Sequence, residues 1–118
     1  MNPHLVQSLE RIHESLSSWS IKWGLSRLAR DVDVVFAEDL NGDLGQCDLS
    51  SHEIRLHGLL LEPGREELLL EVLCHEAAHL VAYHRYGTGI DSHGPEWQGY
   101  MRKVGYDPRA VIREQDLW

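Results

Sequence analysis

The segment LLLEVLCHEAAHLVAYHRYG, residues 68–87, constrains this chain more than any other stretch. Leu69, Val72, Leu73, Leu80 and Val81 make it the most apolar helical run in the sequence. Glu66 and Glu67 at its start, with His84 and Arg85 near its end, complement a helix dipole, and Gly87 suits the position just past the last turn. Inside it stands HEAAH. Helical residues turn by about 100° each, so His75 and His79 lie about 40° apart, one turn above the other, and both imidazoles can reach one ion. Unpaired polar rings in so apolar a helix are costly, and a metal would satisfy both. Glu76 is displaced sideways, close to the ion but poorly placed to join the pair. Zinc hydrolysis needs this arrangement: neutral nitrogens hold the metal and a carboxylate beside it takes a proton from water. Ala77 and Ala78 leave room for close packing.

Two histidines do not complete a catalytic zinc site, which takes three protein ligands and keeps one position open. His84, Asp91, His93 and Glu96 are the candidates for the third. His84 points about 140° away from His79 around the helix axis and reads as a helix-end residue. A metzincin would need glycine and histidine where this chain has Ala82 and Arg85, so that class is excluded. His93 follows a glycine-containing loop long enough to fold back, and Gly94-Pro95 starts a helix behind it. That anchoring favours His93 over Asp91 and Glu96.

The flanking sequence supplies the other elements. Leu5, Leu9, Ile12 and Leu16 fall at helical spacing after an Asn2-Pro3 start, and Trp19, Ile21 and Trp23 lead to Gly24. A short helical piece follows with Leu25, Leu28 and Ala29. Three strand-like runs come next: one near 32–37, then LGQCDL and EIRLH, with NGD and Ser50-Ser51 as turns. Pro63-Gly64 precedes the long helix, and a last helix runs from Pro95 to about Lys103. The order predicts one α+β domain over residues 1–118, with a small, mostly antiparallel three-stranded sheet packed against the HExxH helix and flanking helices.

Charge narrows the partners. Acidic residues outnumber basic ones 19 to 11, a net charge of −8, with no basic run to bind a phosphate backbone or anionic lipid. The first residues carry Glu10, Arg11 and Glu14 where a signal peptide needs unbroken apolar sequence, and no run approaches membrane-spanning length. Cys47 and Cys74 form no CxxC pair and read as small buried filler. A cytoplasmic protein without a membrane role is the expectation.

HEAAH followed by HGPEW, residues 93–97, resembles the SprT-like zinc metalloprotease domain, the family of bacterial SprT and the eukaryotic Spartan proteases. WGLSRLA, LGQCD, EIRLHGLLLE and LLLEVLCHEAAH extend the similarity over most of the chain, from about Leu5 to Asp107. The resemblance implies a minimal zincin-like fold, with His75, His79 and His93 as Zn2+ ligands and Glu76 as general base. It also implies a protein or peptide substrate lying extended beside an edge strand, in a family whose Spartan-type members cleave proteins crosslinked to DNA. No CxxC pair follows Trp97 and no basic extension is present, so DNA would have to be reached through a partner.

The expected activity is that of a zinc-dependent endopeptidase. A zinc-stabilised, non-catalytic peptide- or protein-binding adaptor of the same fold is the alternative. For the oxyanion donor Tyr83, Tyr86, Tyr100 and Arg102 stay open. Trp19, Trp23 and Trp97 read as core. His4, His13, His52 and His57 have no ligand spacing and read as surface or partly buried residues. Glu71, one turn before His75, reads as a solvated charge, with a hydrogen bond to a ligand imidazole as the other option.

Overall fold

The computed structural model describes residues 2–25 and 27–117. Met1 and Trp118, at the ends of the expected domain, and Ser26 of the WGLSRLA stretch lie outside the described residues. Helix α1 spans Pro3–Trp23. Asn2 caps it, its Oδ1 accepting the His4 N–H at 2.9 Å, and Pro3 fills the first position, where no donor is needed. Gly24 ends it with φ 75°, a left-handed conformation that glycine adopts without a Cβ penalty. Ile12, Leu16, Trp19 and Trp23 form its buried stripe. Leu9, at the same helical spacing, is exposed.

The short helix α2, Leu28–Asp31, leads into a three-stranded sheet of β1 (Asp33–Ala37), β2 (Gly45–Asp48) and β3 (Glu53–His57). Its order is β1-β3-β2. β2 and β3 form an antiparallel hairpin whose turn is tied by Asp48: its Oδ1 accepts from Ser50 N at 2.9 Å and Ser51 N at 3.2 Å. β1 pairs with β3 in parallel, Val35 opposite Arg55. The sheet is therefore mixed, where short turns between three strands predict a mostly antiparallel one. The reason is geometric. β1 and β2 run in opposite directions on either side of β3, so the linker 38–44 stays at one end of the sheet and steps over a single strand. Such a connection needs none of the length that joins two adjacent parallel strands.

A 3-10 turn, Gly58–Leu61, then leads to α3, Glu66–Tyr86, and α4 covers Pro95–Lys103. From Leu69 to Ala78 every residue of α3 except Glu71 is buried, because α1, α4 and the sheet all pack on it. A helix apolar on all sides belongs at the centre of a domain. Leu73, Ala77, Leu56, Ile54 and Met101 are fully enclosed there. Truncating a leucine so placed costs about 2–5 kcal/mol. Trp97 packs α4 onto α3, and it, Trp19 and Trp23 are all core, as expected. No helix among the described residues is long and apolar enough to cross a membrane.

One element has no counterpart in the sequence pattern. The segment after α4 returns across α3 and bridges antiparallel to the residues preceding β2, Arg113 opposite Asp43. Leu44 N donates to Ile112 O at 3.3 Å and Glu114 N to Gly42 O at 2.9 Å. Arg109 forks onto the Glu71 carboxylate at 2.9 and 3.1 Å. His57 is buried, where a surface or partly buried ring was the expectation. Its Nδ1 accepts from Leu59 N at 3.1 Å, which leaves Nε2–H to donate to Glu114 at 3.0 Å.

Candidate metal centre

α3 brings His75 and His79 to one face, and the loop after Gly87 brings His93 against them. His93 Nε2 lies 3.1 Å from His79 Nε2 and 3.3 Å from His75 Nε2. Tetrahedral coordination at a Zn–N distance of about 2.0–2.1 Å places ligand nitrogens about 3.3 Å apart. The three rings thus have the spacing of three corners of such a site, and they form the group among the described residues able to hold a metal ion. Asp91, Glu96 and His84 stand outside this group; Asp91 and His84 are exposed.

The rings are held from behind. Trp97, 1% exposed, lies beneath all three, with ring centroids 4.8 Å from His75, 5.3 Å from His79 and 4.8 Å from His93, and stacks on His79 at 18°. Its Nε1–H donates to the His75 backbone carbonyl at 3.1 Å. Gln98 Nε2 donates to the His93 carbonyl at 2.8 Å, tying the loop to α4. Gly94-Pro95 starts α4 directly after His93, and Gly94 N closes the turn onto Asp91 O at 3.1 Å.

The electrostatics suit a cation. Burial pushes the His75 pKa down to about 3, with the neighbouring His79 and His93 acting in the same direction, and pushes His79 down to about 4, again aided by His93. Burial also lowers His93. The imidazoles are therefore neutral, the form that donates a lone pair to a metal. Glu76 is 7% exposed, and its Oε2 is 3.9 Å from His75 Nε2. Burial raises its pKa to about 7, against the lowering effect of the nearby Cys47 thiol. A carboxyl so tuned exchanges protons near neutral pH.

The site opens on a cleft of about 570 Å³ between β2, α3, the loop before His93 and the 110–113 segment. Of the four residues left open as oxyanion donor, Tyr83 lines this cleft; Tyr100 is buried in the core, and Tyr86 and Arg102 are exposed elsewhere. Cys74 is the buried filler that was expected, whereas Cys47 is half-buried and faces the cleft. Glu71 is paired with Arg109 and makes no hydrogen bond to a ligand ring. The roles of Gly45, Cys47 and the 110–113 segment escape sequence reading, although the period-two pattern of LGQCD places Gly45 and Cys47 on one face.

The sequence model of the SprT-like family matches residues 9–115. Protein SprT of Pseudomonas syringae pv. tomato is 40% identical over 60 residues, which are 51% of this chain and 37% of that protein. Protein SprT of Vibrio parahaemolyticus is 40% identical over the same length, covering 51% and 36%. The matched stretch thus spans little more than a third of these relatives. The crystal structure of the metallopeptidase zymogen of Pyrococcus abyssi abylysin superposes with a TM-score of 0.59 at 22% identity, over 79% of this chain and 78% of that one. This chain shares that α+β, metallopeptidase-like fold.

Proposed function

Because this chain belongs to the SprT-like family, we propose that it is a zinc-dependent endopeptidase acting on extended stretches of protein substrates. The observation that carries the reading is the convergence of the His75, His79 and His93 Nε2 atoms beside the buried Glu76 carboxyl. His75, His79 and His93 would hold the zinc. When bound, zinc acts as a Lewis acid that polarises a peptide carbonyl and acidifies water.

The remaining chemistry belongs to the chain. Glu76 accepts the proton of the attacking water and delivers it to the departing amine. The Tyr83 hydroxyl is the cleft's candidate donor to the developing oxyanion. Substrate would be aligned by β2, an edge of the sheet beside the cleft. His57 N donates to Leu44 O at 2.8 Å, and in this register Gln46 and Asp48 exchange hydrogen bonds with β3. Gly45 and Cys47 therefore direct their N–H and C=O groups outward, as an added strand requires. An antiparallel substrate on that edge would place its C-terminal side toward Asp43, where Arg113 already bridges.

With its acidic balance the chain would meet DNA-bound substrates through a partner. The test is zinc analysis combined with cleavage of an unfolded protein, with and without DNA, using Glu76→Gln as control. Cleavage that needs zinc and Glu76 supports the reading. One bound zinc without any Glu76-dependent cleavage would turn it into the adaptor.

A further inference from the structure

Glycine at position 45 is not there for its backbone. Its φ lies in the region any residue adopts, so the residue type answers to space. A Cβ on Gly45 would stand 2.6 Å from Val72 Cγ1 and 3.1 Å from both Cγ and Oε2 of Glu76. Two different neighbours thus close on one missing side chain, a packing group and the carboxyl beside the metal site. Cys47 is the next residue on the same face of β2, half-buried and lining the same cleft as the Glu76 carboxyl. Burial raises the thiol pKa, so the sulfur keeps its proton.

We propose that Gly45 and Cys47 are positioning residues for Glu76: Gly45 leaves the slot in which the carboxyl lies against the β2 backbone, and Cys47 donates a hydrogen bond that fixes its direction. The proposal rests on the reading of Glu76 as the base. It explains why two residues on an edge strand, neither able to ligate alongside the three imidazoles, face the reacting end of the site. A base displaced by a fraction of an ångström loses alignment with the proton it must take, whereas the atoms nearest an added Cβ at Gly45 include none of the three imidazoles.

The two contacts of Gly45 can be separated. In Gly45→Ala both neighbours are crowded, and the melting temperature falls. Adding Val72→Ala removes the 2.6 Å contact but not the contact with Glu76. The double variant should melt where Val72→Ala alone does and bind one zinc per chain. Its kcat on a labelled unfolded casein should fall roughly 10- to 100-fold below Val72→Ala, with KM unchanged. Cys47→Ala should lower kcat in the same way, and Cys47→Ser, which keeps a donor, should restore most of it. A double variant as fast as Val72→Ala, or Cys47→Ala as fast as Cys47→Ser, overturns the proposal. A second readout does not depend on turnover. The 13C resonance of the labelled Glu76 carboxyl in the zinc-loaded protein should move in the double variant relative to Val72→Ala, and in Cys47→Ala relative to wild type. Unmoved resonances sink the seat for Glu76, whereas moved resonances in a protein that cleaves nothing uphold it and remove only the peptidase reading.

Discussion

The indole Nε1–H of Trp97 donates to the backbone carbonyl of His75 across 3.1 Å, joining α4 to the turn of α3 that carries HEAAH. The ring therefore does two jobs, filling the space under three imidazoles and fixing the height of the first. Trp97→Phe keeps most of the apolar volume and loses the hydrogen bond. Partners outside the ligand set typically tune metal affinity by 10- to 100-fold. Zinc affinity of Trp97→Phe, measured by competition with a chromophoric chelator, should fall by about tenfold. Unchanged affinity would show that the contact only packs.

Alanine at His75, His79 or His93 should each abolish stoichiometric zinc at micromolar protein, read by elemental analysis after gel filtration. Retention of one zinc per chain in all three variants would end the metal-site reading. Glu76→Gln should behave differently, keeping the metal while cleavage drops by about 10²- to 10⁴-fold.

Tyr83→Phe removes one hydroxyl from the cleft and disturbs little else, since the ring is half-buried. If that hydroxyl supports the oxyanion, kcat falls by about 10²-fold with zinc content and KM unchanged. Equal kcat in the two proteins would assign the donor elsewhere.

Acid should destabilise the metal-free protein through the same buried imidazoles. His75 and His79 have folded pKa values of about 3 and 4, below the ordinary 6.5, so between those limits the unfolded chain binds more protons and stability falls as pH falls. Glu76, raised from 4.5 to about 7, has the opposite sign, and its contribution is lost as pH rises through that window. Two histidines outweigh one carboxyl. Urea unfolding in chelator should therefore show greatest stability near pH 6.5, the ordinary histidine value from which both rings are lowered. The slope should approach about 1.4 kcal/mol per pH unit between about pH 5.5 and pH 4 and grow shallower below, as the folded rings take up protons in turn. Stability that holds constant from pH 6.5 to 4.5 would mean that the rings are not buried neutral.

Most of the scaffold was legible because its boundaries are local events. Asn2-Pro3, Gly24, Glu66-Glu67, Gly87 and Gly94-Pro95 each start or stop a helix by their own backbone or capping chemistry, and the helices lie where those residues place them. His75, Glu76 and His79 share a helix, so their mutual placement follows from its pitch. His93 was legible from its anchoring before α4, and the structure brings it to the other two rings. What escaped was set by long-range contact. The parallel pairing of Val35 with Arg55 depends on which side of β3 the chain enters, and no local signal carries that choice. Likewise the His57–Glu114 and Asp43–Arg113 pairs join positions with no shared periodicity. The reason for glycine at position 45 becomes visible only once α3 is packed against β2.

The placement of His93 on a loop, 14 residues beyond His79, gives a bound ion a mechanical role as well. Two of its donors ride on the buried central helix and the third on the largely exposed stretch between Gly87 and Pro95, so the ion would act as a removable crosslink closing that loop. Chelation would release one strap of the cleft wall while α1 and the sheet keep their packing. Backbone amide exchange and protease nicking should then rise together over residues 88–94 and nowhere in α1.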